Sequence, residues 1–136
     1  MGMPAEAHET LEIRSSADVV AVRQAARALA DRVGFGLVDQ TKLVTAASEL
    51  ARNTINYGGG GSVRLELVEN GVRRGVRLTF EDQGPGIPDI PMALKDGYTS
   101  GHGLGLGLGG ARRLVNDFTI DSSPGNGTRV MIARWK

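Results

Sequence analysis

Apolar residues recur at helical spacing in two long stretches of this chain and at every second position in several shorter ones. Val19, Val22, Ala25, Ala26, Leu29 and Val33 fall on one helical face; Ser15-Ser16-Ala17-Asp18 supplies capping side chains ahead of them and Gly34 stops the helix. A second helix is predicted from Leu43, Val44, Ala47, Leu50, Ala51 and Ile55, capped by Asp39 and running to about Tyr57. It ends in Gly58-Gly59-Gly60-Gly61, of which one or two serve as a helix stop and the rest have no local explanation. The period then falls to two. Val63, Leu65 and Leu67 alternate with Arg64 and Glu66, and after Asn70-Gly71, a strong hairpin signal, Val76, Leu78 and Phe80 alternate with Arg77, Thr79 and Glu81. Thr10–Arg14 reads as a short half-buried strand, and Phe118–Ser122 and Thr128–Trp135 as a last hairpin around Pro124-Gly125-Asn126-Gly127.

Between Gly84 and Gly103 lies a loop rich in proline and glycine, broken by one helical turn around Pro91–Lys95; inside a small domain a loop of this length is usually a lid or binding loop. Beyond it a third helix is predicted to about Asn116. Strands grouped mostly into antiparallel hairpins, with helices sharing one face, imply an α+β fold, a two-layer sandwich with a mostly antiparallel sheet. No repeat or linker divides the chain, so residues 1–136 are expected to form a single domain, with 1–9 a frayed tail.

The bulk properties narrow the function classes. A formal charge of +1, from 16 basic and 15 acidic residues, gives no electrostatic signature for nucleic acid or membrane. The aromatic residues are too few and scattered for base-stacking platforms. Without cysteine there is neither a disulfide framework nor a thiolate metal site. Absence of a long apolar run or a signal-like leader predicts a soluble cytoplasmic protein.

Candidate chemistry starts with Gly101-His102-Gly103-Leu104-Gly105-Leu106-Gly107-Leu108-Gly109-Gly110. Glycine inside an element costs roughly 0.5–1 kcal/mol relative to alanine, so this density points to a need for bare backbone. Exposed N–H groups running into a helix could cradle phosphates, and leucine in alternate places separates the stretch from a Gly/Ser linker. Glu49 and Asn53, four residues apart, share one helical face: Asn53 offers a carbonyl oxygen to a hard cation such as Mg²⁺, and Glu49 lies one turn away as a proton acceptor. Arg52 is read as pointing to another face and contacting a partner. Asp82-Gln83-Gly84-Pro85-Gly86 places a carboxylate at a strand end, followed by a turn whose backbone can pass close to a flat ring. Gly127-Thr128 opens the last strand with a hydroxyl.

Gly105–Gly110 fits G-x-G-x-x-G, but no strand precedes it directly and no parallel βαβ unit surrounds it. No G-x-x-x-x-G-K-[ST] is present, and His8 and His102 have no companions at metal-site spacing.

Taken in order, Glu-x-x-x-Asn on a helix, Asp-x-Gly-x-Gly at a strand end, a glycine-rich lid and a Gly-Thr resemble the GHKL ATP-binding family of gyrase, Hsp90, histidine kinases and MutL. The resemblance runs from Leu11 onward. Glu49-Leu50-Ala51-Arg52-Asn53, the run Asp96–Gly107 and the small size are most similar to the anti-sigma-factor kinase branch and, within it, to the RsbT type, serine kinases that act as switches in stressosome pathways. The resemblance implies a Bergerat-type ATP-binding fold with ATP and Mg²⁺ as cofactors. It implies Glu49 as general base and Asn53 as the Mg²⁺ ligand. Asp82 would bind the adenine amino group with support from Thr128, while Gly84 and Gly86 leave room for the base. Gly101, Gly103, Gly105 and Gly107 would close over the triphosphate, anchored by Leu104 and Leu106. The implied activity is phosphorylation of a serine on a STAS-domain partner, followed by binding and activation of a phosphatase. The alternative is a nucleotide-gated anti-sigma factor that sequesters a partner without phosphorylating it.

Overall fold

The short loop Gly34-Phe35-Gly36 turns the first long helix back along the second, and the two lie together on one face of a sheet. The computed structural model describes residues 8–94 and 107–136. Their order is β1 (His8–Ile13), α1 (Ser16–Val33), α2 (Leu37–Asn56), β2 (Gly61–Asn70), β3 (Arg73–Asp82), α3 (Ile90–Ala93), α4 (Gly107–Arg113), β4 (Asp117–Ser122) and β5 (Thr128–Trp135). The strands form one sheet in the order β1-β2-β3-β5-β4, with every described pairing antiparallel. This is the expected two-layer α+β sandwich.

Local chemistry accounts for most boundaries. Asp18, three residues into α1, reaches back to the Ser15 N–H at 3.1 Å, and Gly34 ends the helix in the left-handed region at φ +91°. β1 begins earlier than the alternation suggested: His8 and Glu9, expected to fray, pair with Glu66 and Leu65. The β2–β3 loop is Gly71-Val72, with Gly71 at φ +61° and Val72 fully exposed. Glycine thus takes the first of the two loop positions, where the strand twist demands positive φ.

Asp39, expected from the sequence to cap α2, does not. Gly36 does, and Asp39 lies inside the first turn, where Arg134 of β5 donates to it at 2.5 Å. Arg134 also donates to the Leu114 carbonyl at 2.8 Å, so one guanidinium ties the start of α2, the chain after α4 and the sheet together. That hydrogen bond holds the Asp39 carboxyl below its ordinary range.

The core between the layers is closed by Ile13, Val22, Leu43, Leu50, Val63, Leu65, Val76, Leu78 and Ile132, all fully buried. α4 packs on α2, burying Gly109 and Ala111. Among the described residues no helix is long and apolar enough to cross a membrane.

The far face of the sheet is polar but not all solvated. Glu66 is only 8% exposed, and Arg77, directly opposite it on β3, donates from Nε and Nη2 at 3.1 and 3.2 Å, with Arg64 at 3.4 Å. Burial pushes the Glu66 carboxyl up, but the Arg77 hydrogen bond and the charges of Arg77 and Arg64 outweigh it and hold the group below its usual value. A depressed folded-state pKa stabilises above the unfolded value and loses that stabilisation as pH falls through the folded one. E66Q is therefore expected to cost about 1–2 kcal/mol at neutral pH, the arginines being half-exposed and partly screened. In urea unfolding the deficit should shrink as the pH drops below about 4. A deficit that stays constant with pH would show that Glu66 acts by shape rather than charge.

Candidate functional site

The end of α2 and the end of β3 are brought into direct contact, and glycine makes this possible. A Cβ on Gly58 would lie 2.3 Å from Cγ of Asp82, and one on Gly84 would lie 2.7 Å from Cα of Gly58. No side chain fits between them. Gly59 and Gly60 follow at φ +75° and +107°, and a Cβ on Gly61 would lie 2.0 Å from the Glu81 carbonyl oxygen. The full run of four glycines, opaque in the sequence, is thus the crossing of a helix end over a strand end. Gly84 and Gly86 are likewise bare for the chain's own sake: a Cβ on Gly86 would meet the Ser123 carbonyl oxygen at 2.1 Å. With the adenine role that the resemblance implies for Asp82, Gly58→Ala, which displaces that carboxylate, should weaken ATP binding by roughly tenfold for one lost hydrogen bond. Isothermal titration with Mg·ATP checks this, and unchanged affinity would show that the carboxylate can move without consequence.

Asp82 sits on the helix-facing side of β3, with Oδ1 accepting from the Gly84 N–H at 2.9 Å, which leaves the second oxygen for another donor. Thr128 faces it in register across β3 and β5. Its hydroxyl lies 2.9 Å from Oγ of Ser122, a residue the sequence did not single out. Ser122 Oγ donates to the Gly127 carbonyl at 2.9 Å and accepts from the Ile87 N–H at 2.8 Å. With the one Ser122 proton spent on Gly127, Thr128 donates to Ser122 and its oxygen can still accept from another donor. The only clue to Ser122 was its place opposite Thr128 in the last hairpin. A polar cavity of about 220 Å³ opens here, lined by Glu81, Asp82, Gln83, Ser122, Thr128 and Arg129 among others. It touches neither Glu49 nor Asn53.

Glu49 lies two turns before the end of α2 and is buried, at 8% exposure. Its Oε1 accepts from Arg52 Nη1 at 3.1 Å. Arg52 does not point away from the site, as the helical wheel suggested; three residues of helix bring it back over Glu49. Asn53, half-buried one turn beyond Glu49, has a side-chain amide that makes no hydrogen bond with the described residues. Its backbone carbonyl accepts from the N–H groups of Tyr57 and Gly58. Asn53 thus leads directly into the glycine crossing that holds Asp82. Gly107 begins α4 at φ +69°. Gly101, His102, Gly103, Leu104, Gly105 and Leu106 lie outside the described residues.

A metal site made of protein alone is not in view: among the described residues no three His, Cys, Asp or Glu side chains cluster. The donor set fits Mg²⁺ in a different way. This ion keeps several waters and takes few protein ligands, completing its shell with substrate phosphates, so one unpaired carboxamide oxygen at Asn53 is a suitable contribution.

Residues 38–136 match the family of histidine kinase-, DNA gyrase B- and HSP90-like ATPases, nearly three-quarters of the chain. The chain belongs to this family. Among curated GHKL proteins it is 43% identical over 125 residues to the serine/threonine-protein kinase RsbT of Bacillus subtilis, covering 92% of this chain and 94% of that one. It is 32% identical over 102 residues to the anti-sigma F factor of Bacillus licheniformis, covering 69% and 68%. A crystal structure of the RsbU and RsbW domains of a Mycobacterium tuberculosis protein shares the GHKL fold, with a TM-score of 0.64 at 23% identity. It covers 95% of this chain and 32% of that one.

Proposed function

We propose that this protein, a serine/threonine kinase of the GHKL family, moves the γ-phosphate of ATP to a serine of a STAS-domain partner in the cytoplasm. Once released from that partner, it binds and activates a phosphatase. The observation that supports this reading is the Gly58–Gly84 contact, which sets the end of the helix that carries Glu49 and Asn53 against Asp82, with Thr128 in register beside it. The 43% identity to a serine/threonine kinase along nearly the whole of both chains supports it independently.

In this reading Asp82 accepts a hydrogen bond from the adenine amino group and Thr128 lends an acceptor beside it. Asn53 holds Mg²⁺, which neutralises charge on the phosphates when bound. Gly101, Gly103, Gly105 and Gly107 close over the triphosphate, with Leu104 and Leu106 as anchors. Glu49 removes the proton from the serine hydroxyl as its oxygen attacks the γ-phosphorus, and ADP leaves. Such chemistry asks the protein mainly for positioning and charge neutralisation.

The resemblance to anti-sigma F factors favours a second reading, a nucleotide-gated module that sequesters a partner. A pure binder has no use for a buried carboxylate at Glu49. The two separate when purified protein and Mg·ATP carrying a labelled γ-phosphate are added to a lysate of the source cells. A single small acid-stable labelled protein supports the kinase and supplies its substrate for sequencing. Tight ATP binding without any transfer supports the module instead.

A further inference from the structure

The ion pair between Glu49 and Arg52 lies inside the proposed site, and none of the roles above uses it. The Glu49 side chain is 11% exposed and that of Arg52 50%, so the guanidinium comes onto the carboxylate from the solvent side. One hydrogen bond joins them, Nη1 to Oε1 at 3.1 Å. Among the described residues Arg52 is the one partner of this carboxylate. Both residues stand on one rigid stretch of α2, three positions apart, and Asn53 follows directly.

We propose that Arg52 is a positioning residue, whose guanidinium holds the Glu49 carboxylate in the rotamer from which it takes the acceptor's proton. The inference rests on the reading of Glu49 as general base. A glutamate side chain has three rotatable bonds, and a buried one with no fixed donor is free to populate several staggered rotamers. A single donor on the same helix selects one of them at little entropic cost, because the backbone between the two is already ordered. In a reaction where positioning carries most of the rate, a carboxylate misplaced by about 1 Å costs on the order of 10²-fold. The Arg52 end of the pair is half exposed, so water can reach the carboxylate once the guanidinium is removed, and its loss should not unfold the chain.

The test compares the full chain with E49Q, R52A, R52K and the E49Q/R52A double variant. Each is assayed for transfer of labelled γ-phosphate from Mg·ATP to proteins of the source lysate, and for Mg·ATP affinity and thermal midpoint. R52A should slow transfer roughly 10- to 100-fold, with ATP affinity and midpoint unchanged. R52K should recover most of the rate, since one N–H···O contact needs one donor and an ammonium supplies it. The double variant should be no slower than E49Q alone, as for two residues acting through one contact. Full-rate transfer by R52A beside an inactive E49Q overturns the positioning role and leaves the base intact. A parallel loss of ATP affinity in R52A assigns Arg52 to the nucleotide, and no recovery in R52K shows that a single donor at Oε1 does not set the rate; either result also overturns it. Transfer by E49Q, or none by the unaltered chain, removes the reading of Glu49 and this inference with it.

Discussion

Replacing Glu49 with Gln is expected to reduce phosphoryl transfer by about 10²- to 10⁴-fold, the range over which a positioned general base contributes, while leaving Mg·ATP affinity unchanged. Glutamine has nearly the same volume, so the buried pocket on α2 stays filled, and its carbonyl oxygen can still accept from Arg52 at the Oε1 position. What it cannot do is take a proton. The nucleotide contacts proposed for Asp82, Thr128 and Asn53 do not involve this side chain, so binding and catalysis should part cleanly. Initial rates of γ-phosphate transfer, measured beside calorimetric titration with Mg·ATP, read the two separately. Transfer at the normal rate would remove Glu49 from the chemistry. A loss of rate that tracked a loss of affinity would place it at the nucleotide instead.

Asp82→Asn should weaken ATP binding by roughly 10- to 100-fold, since a hydrogen bond to a charged acceptor is worth about 1.5–3 kcal/mol. The local turn should survive. Oδ1 of Asp82 accepts from the Gly84 N–H, and the amide oxygen of asparagine can do the same. The NH₂ group then takes the place of the second carboxylate oxygen, so that a donor faces the donor of the adenine amino group. A nucleotide lacking that amine, such as GTP or ITP, should lose far less on the same substitution, which separates a direct contact from a disturbed fold. Equal affinity of the two proteins for ATP would remove the adenine role from Asp82.

Both substitutions fall on residues legible in the amino-acid order, and so do the elements that carry them. The 3.6-residue period of α1 and α2, the Ser15–Asp18 and Gly34 boundaries and the two-residue alternation of β2, β3 and β5 are encoded within a few positions of where they act. Glu49 and Asn53 could be placed on one face because the α-helix has a fixed pitch. The type of each element, the α+β class and the candidate pair on α2 therefore followed from local pattern alone.

Tertiary structure decided whatever depends on residues distant in the chain. Asp39 looked like a cap because nothing nearby announced Arg134, 95 positions later. Glu66 looked like one more solvated strand residue until the register set it opposite Arg77, and Ser122 became visible only when β4 and β5 paired. A helix stop accounts for one or two of the glycines 58 to 61 but not for the whole run, because the atoms that Gly58 and Gly61 avoid belong to Asp82 and Glu81 at the end of another strand. Local sequence determines which backbone angles and which face each residue takes. Which two surfaces then meet is set by burial and pairing summed over the whole molecule, and this set the end of α2 against the β3 carboxylate.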